Sequence, residues 1–117
     1  MYPFLGVFIG GGIGSVLRFF ICQKITSHWG TMCVNIIGAF LIGVAYAYFE
    51  QSNVKPEIKL LLMTGFLGGF TTFSTYIMNF STLMGSQNYT EAFFYLIFSV
   101  LIGIAFFITG CKFVSIL

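Results

Sequence analysis

The chain contains no aspartate, and its only acidic residues are Glu50, Glu57 and Glu91. Five Lys and Arg side chains leave a formal net charge of +2, and charged residues make up 7% of the 117 positions. So little charge cannot keep a small soluble domain dissolved. It is also too weak and too scattered to grip nucleic-acid phosphates, so no nucleic-acid partner is expected. With a single histidine, the sequence offers no Ser/His/Asp set and no HExxH, which argues against an enzyme. Coupled exporters of this size need an ionisable carboxylate inside the membrane. Here all three glutamates fall in loops or at the ends of apolar runs, which disfavours a small multidrug-type exporter.

Cysteine is scarce as well. Cys22, Cys33 and Cys111 form an odd set without a CxxC pair and read as small buried apolar groups. His28 lies between two of them, but the spacing is not that of a zinc site.

What is abundant is apolar: 58% of the residues are hydrophobic and sixteen are Phe. At ~20 residues per spanning helix, the length predicts one membrane domain over 1–117 with four spans, at about 3–22, 31–49, 58–84 and 91–113. The first run carries Arg18, lacks a basic start and has no small-residue cleavage site after it, so it is expected to stay as a span. Gly6, Gly10 and Gly14 recur every four residues on it and predict a face for close helix packing. The run GGGIG at 10–14 fits neither GxGxxG nor GxxxxGK[ST].

The stretch 65–76, GFLGGFTTFSTY, is the anomaly. It lies within the third span yet holds three glycines and five hydroxyl-bearing residues. Glycine loosens a helix, and Ser and Thr offer its backbone other partners. Broken backbone at membrane depth is tolerated only where protein or water satisfies the freed groups. The stretch therefore predicts an interrupted helix near 68–72 that lines a site.

The remaining polar groups in the spans are mostly donors. Asn35 stands alone in the second span, where its amide serves either as helix–helix glue or as an uncharged donor to a small anion. Tyr95 and Ser99 sit four apart on one face of the fourth span, lining a path or bonding a neighbouring helix. Arg18 is open between snorkelling to the interface and attracting anions to a vestibule. A donor-rich interior without carboxylates favours an anion. Edge-on phenyl rings can also touch an anion, since the ring edge is positive, but composition does not single out Phe73 and Tyr76.

Three blocks in order, GGGIGSVLRF at 10–19, GTMCVNIIGAFLIG at 30–43 and GFLGGFTTFSTY at 65–76, together resemble the Fluc/CrcB fluoride channels over nearly the whole chain. That resemblance implies an all-α membrane fold of four helices, the third broken, in an antiparallel dual-topology homodimer with two fluoride pores along the subunit interface. It implies that Asn35 is a pore-lining donor and Phe73 the first ring of a phenylalanine box. The second ring falls at Tyr76, where many members have Phe. Ser74 and Thr75 become polar neighbours of the path, and Tyr95 and Ser99 its fourth-helix track. It further implies a structural sodium ion at the dimer centre, held by the backbone carbonyls of Gly68 and Thr71 of both chains, with Arg18 towards a vestibule. Lys55, Lys59 and Lys112 on one side face Lys24 and Arg18 on the other, a weak bias compatible with insertion both ways.

The expected protein is thus a passive fluoride-selective channel in the lipid of a prokaryotic plasma membrane. It would lower fluoride toxicity by letting the ion leave the cytoplasm. A coupled exporter and a structural assembly subunit are the alternatives; the second leaves a broken third span without a purpose.

Overall fold

The computed structural model describes residues 2–117, with Tyr2 by its backbone alone. Helix α1 covers Tyr2–Lys24 and α2 covers His28–Gln51. The third span begins as a short helix, α3 (Pro56–Lys59), and widens into a π-helical segment over Leu60–Leu67. It then narrows to α4 (Gly68–Phe70), breaks, and resumes as α5 (Phe73–Gly85). Helix α6 (Tyr89–Ile116) completes the bundle. Four stretches are long and apolar enough to cross a membrane, Pro3–Lys24, His28–Gln51, Pro56–Gly85 and Tyr89–Ile116. At 1.5 Å per residue the shortest reaches about 33 Å, enough for a ~30 Å hydrocarbon core.

Close backbone approach organises the bundle into two pairs. Along α1, Gly10 and Gly14 lie against the backbone of Leu61, Phe66 and Phe70, so that a side-chain carbon at either glycine would overlap a carbonyl. From the other side, a carbon at Gly69 would overlap the carbonyl of Gly11. The glycine stripe thus joins α1 to the first arm of the third span. The second pair is α2 with α6, where Gly43 meets the Phe107 carbonyl and Gly110 meets that of Phe40. Such contacts suit helices in lipid, where van der Waals packing rather than water exclusion drives association.

Where α5 returns across α6, Tyr76, Leu83, Ala92 and Tyr95 form a buried cluster with Met32 and Phe80 against it. Val34, Leu67, Phe70 and Val114 are buried between helices as well, whereas many other large apolar side chains face outward, among them Phe4, Phe8, Phe19 and Phe20 on α1. The three cysteines are free and partly buried.

The interruption sits at Thr71 and Thr72, and the glycines before it stay helical. Thr71 (φ −91°, ψ 159°) and Thr72 (φ −148°, ψ 119°) are extended, whereas Gly68 keeps helical angles. The reason is local chemistry. Thr72 is the N-cap of α5, its Oγ1 accepting from the Thr75 amide at 3.2 Å. A hydroxyl in that position satisfies a donor that has no partner within the helix. Gly65 and Gly69 are used for close packing on α1 rather than for bending the chain.

Candidate functional site

Two side chains from other helices hold the break open. The Asn35 amide on α2 pairs with Thr72 as a neighbouring strand would: Oδ1 accepts from the Thr72 amide at 2.8 Å and Nδ2 donates to its carbonyl at 3.0 Å. One turn along α2, Gly38 leaves room for the Thr71 methyl group. From α1, the Arg18 Nε donates to the Gly69 carbonyl at 3.0 Å, with the Ser15 hydroxyl at 3.5 Å. The half-buried arginine therefore has a partner in the third span that neither snorkelling nor a vestibule supplies.

These bonds determine which carbonyls are released. In an unbroken helix Gly68 would receive the Thr72 amide and Thr71 the Thr75 amide. Here the Thr72 amide goes to Asn35 and the Thr75 amide to the Thr72 hydroxyl. The carbonyls of Gly68 and Thr71 thus lose their helical donors, while that of Gly69 is taken by Arg18. Gly68, Thr71, Thr72 and Asn35 line one open cavity of about 320 Å³ with Phe73 at its edge. Asn35 retains one amide hydrogen beyond the bond to Thr72, since an NH₂ group carries two.

Beyond the break, the amides of Phe73 and Ser74 begin α5, whose N-terminus carries partial positive charge. The hydroxyls gather here: Thr72 Oγ1 lies 3.3 Å from Ser74 Oγ and 3.2 Å from Thr75 Oγ1. Phe73 is 73% exposed, so its ring serves no internal core of this chain.

From Phe73 a ladder of rings climbs to the end of the bundle. Phe73 and Tyr76 have centroids 5.7 Å apart, Tyr76 and Tyr95 5.3 Å, and Tyr95 and His28 4.9 Å, the last in an edge-to-face arrangement. The hydroxyl that distinguishes Tyr76 from Phe donates to the Leu96 carbonyl on α6. The extra oxygen is thereby tied to the neighbouring helix, and the ring stays in the ladder. Tyr95 and Ser99 behave differently. Both hydroxyls are buried and make no hydrogen bond among the described residues. The Asn79 and Thr31 side chains, bonded to each other at 2.7 Å, are nonetheless polar neighbours of the Tyr95 hydroxyl. A buried unpaired donor costs about 1–3 kcal/mol, so two on one face mark a surface awaiting an acceptor.

Several of these residues gave no clear signal in the sequence. Thr31 and Asn79 were not singled out as site residues, and the pairing between them depends on how α2 and α5 pack. His28 was expected in the loop after the first span, but the loop is only Ile25, Thr26 and Ser27, and His28 is 5% exposed as the first residue of α2. Among the described residues no group of three His, Cys, Asp or Glu side chains could hold a metal.

Comparison with known proteins gives consistent results. The family described as "CrcB-like protein, Camphor Resistance (CrcB)" matches residues 5–111. A relative from Hydrogenobaculum sp. (strain Y04AAS1), named Fluoride-specific ion channel FluC, is 41% identical over 113 residues, which cover 92% of this chain and 93% of the relative. Proteins of the same name from Gloeothece citriformis and Phocaeicola vulgatus are 40% and 42% identical. The first match covers 90% of both chains, the second 89% of this chain and 91% of the relative.

Proposed function

The chain belongs to the CrcB-like family, and from that premise we propose that it is a passive fluoride-selective channel that lets fluoride leave the cytoplasm and so lowers its toxicity. The observation that carries this reading is the pair of buried hydroxyls on α6, Tyr95 and Ser99, which make no hydrogen bond among the described residues. Fluoride is small and strongly hydrated, so a pore must replace its water with several donors at once. Asn35 offers its second amide hydrogen, Ser74 and Thr75 their hydroxyls, and Phe73 and Tyr76 the positive edges of their rings. The N-terminus of α5 adds partial positive charge without a fixed ion to trap the substrate. No carboxylate enters this set, which disfavours a coupled exporter. A purely structural subunit would give no purpose to donors left unpaired at such cost.

The working assembly in this proposal is an antiparallel, dual-topology homodimer in the plasma membrane, with Phe73 of each chain turned towards the subunit interface. The high exposure of that ring supports it. A sodium ion at the dimer centre would be held by the carbonyls of Gly68 and Thr71 from both chains. Oxygen ligands suit a hard cation, and these carbonyls are the ones whose helical donors have gone elsewhere. The ion would supply positive charge that ties the two broken helices together. Arg18, bonded to Gly69, would stiffen the same turn from α1 and lend its remaining donors to an anion vestibule.

The test is efflux from liposomes holding the purified protein, read with a fluoride electrode and with chloride-loaded liposomes as control. Fluoride should leave rapidly and chloride be retained. Absence of fluoride efflux, or equal chloride efflux, would overturn the channel reading.

A further inference from the structure

The ring ladder does not stop at the residues that line the expected path; it ends on His28, beside Glu91. His28 opens α2 and Glu91 lies in the first turn of α6, so both sit at the end of the bundle where the first and third loops meet. The imidazole is nearly sealed, and its Nε2 makes no hydrogen bond among the described residues. Nδ1 lies 3.0 Å from the Ser27 hydroxyl, and Nε2 lies 3.4 Å from a Glu91 carboxylate oxygen. In the tautomer where the Ser27 hydroxyl donates to Nδ1, Nε2 carries the ring hydrogen. Ser27 takes a backbone conformation (φ 69°, ψ −164°) that side-chain-bearing residues rarely adopt. His28, Glu91 and Tyr95 line one cavity of about 250 Å³ with Trp29 and Met32. His28 Nε2, within ion-pair range of the Glu91 carboxylate but making no hydrogen bond among the described residues, and the buried Tyr95 hydroxyl thus border the same space.

We propose that this cavity is an outer fluoride-binding site and that the Glu91 carboxylate is a tethered competitor for it. The inference rests on the channel reading and extends the path one ring beyond Tyr95. Glu91 is 46% exposed, so its carboxylate can leave for water while His28, held by Tyr95 and Trp29, stays in place. When it leaves, a single hard anion the size of fluoride takes the hydrogen that Nε2 offers. The carboxylate and fluoride cannot share that donor, because two like charges would then meet in a poorly hydrated space. Lys24, the last residue of α1, lies over the Phe20 ring. The result is an entrance that holds a carboxylate until fluoride displaces it and hands fluoride inward along Tyr95.

Because His28 is the single histidine, its ring nitrogens can be observed alone. The protein is labelled with ¹⁵N-histidine, placed in lipid nanodiscs and titrated with sodium fluoride or sodium chloride, as wild type and as Glu91→Gln. Fluoride and not chloride should shift the Nε2 resonance. The midpoint should fall about tenfold in Glu91→Gln, the equivalent of one hydrogen bond to an ion that no longer has a competitor. Fluoride efflux at low concentration should rise in Glu91→Gln and fall in His28→Gln, with the double variant resembling His28→Gln. A silent Nε2 resonance in a protein that still conducts fluoride would overturn the outer site and leave the channel standing. An unchanged midpoint in Glu91→Gln would overturn the competitor role. A resonance that shifts in a protein without fluoride efflux would support the site and overturn the channel.

Discussion

Replacing Asn35 by leucine removes both hydrogen bonds that hold Thr72 in its extended conformation. Leucine keeps the branched four-atom skeleton of asparagine, though it is bulkier, and loses the amide. The Thr72 amide and carbonyl are then left at membrane depth without partners. At about 1–3 kcal/mol for each unsatisfied group, the broken conformation loses roughly 2–6 kcal/mol relative to alternatives. Those alternatives are a rewound helix through residues 71 and 72 or water entering the break. Rewinding would return the Thr72 amide to the Gly68 carbonyl and withdraw that carbonyl from the cavity. Hydrogen exchange in nanodiscs should show the Thr72 amide opening at least about thirtyfold faster, or a new protection pattern of a continuous helix. Fluoride efflux should fall to background in the same sample. Asn35→Asp separates the two halves of the interaction: it keeps the acceptor for the Thr72 amide, drops the donor to the carbonyl and adds a negative charge. It should lose efflux at least as completely as leucine while disturbing Thr72 exchange less. Unchanged Thr72 exchange and undiminished efflux in Asn35→Leu would refute the claim that α2 holds the break.

Phe73→Ile keeps an apolar side chain at the exposed start of α5 but removes the ring edge; efflux should drop by at least about tenfold if the edge does the work of one bond to an ion, with the oligomer unchanged by cross-linking. Tyr76→Phe should keep efflux within a factor of about two, because the ladder needs the ring; losing the bond to Leu96 should lower stability by about 0.5–1.5 kcal/mol in denaturant titration. Gly69→Val would drive a side chain into the Gly11 backbone and should destabilise by about 1–3 kcal/mol or more, seen as a lower melting temperature in detergent. Ser99→Ala removes a buried hydroxyl that has no partner among the described residues; stability should hold or rise slightly while fluoride efflux falls, and a loss of stability with normal efflux would make Ser99 a packing residue.

Periodicity and composition made the four helices legible, and the crowding of glycine and hydroxyl groups in 65–76 marked the third as interrupted. The position of the interruption was less legible. Glycine both loosens a helix and admits a neighbour, and which of these Gly69 does depends on Gly11, whose proximity no local pattern encodes. The break falls instead on Thr71 and Thr72 because Thr72 caps the next helix and Asn35 accepts its amide. Asn35 shows the same limit from the other side. Its two readings, glue and donor, are both compatible with the geometry, since one amide hydrogen meets Thr72 and a second remains. The hydroxyl at Tyr76 finds its partner on α6 only once α5 and α6 cross. His28 was read as a loop residue because the chain turns within three positions at a strained serine, and no hydrophobic period announces so short a connection.

The central claim is that the broken third helix and the donors around it conduct fluoride and reject chloride. It is tested most directly by the reversal potential of the purified protein in a planar bilayer with fluoride on one side and chloride on the other. A channel of this kind should carry current whose reversal potential follows the fluoride gradient and ignores chloride. Absence of current, or a reversal potential near zero under equal fluoride and chloride, would contradict it.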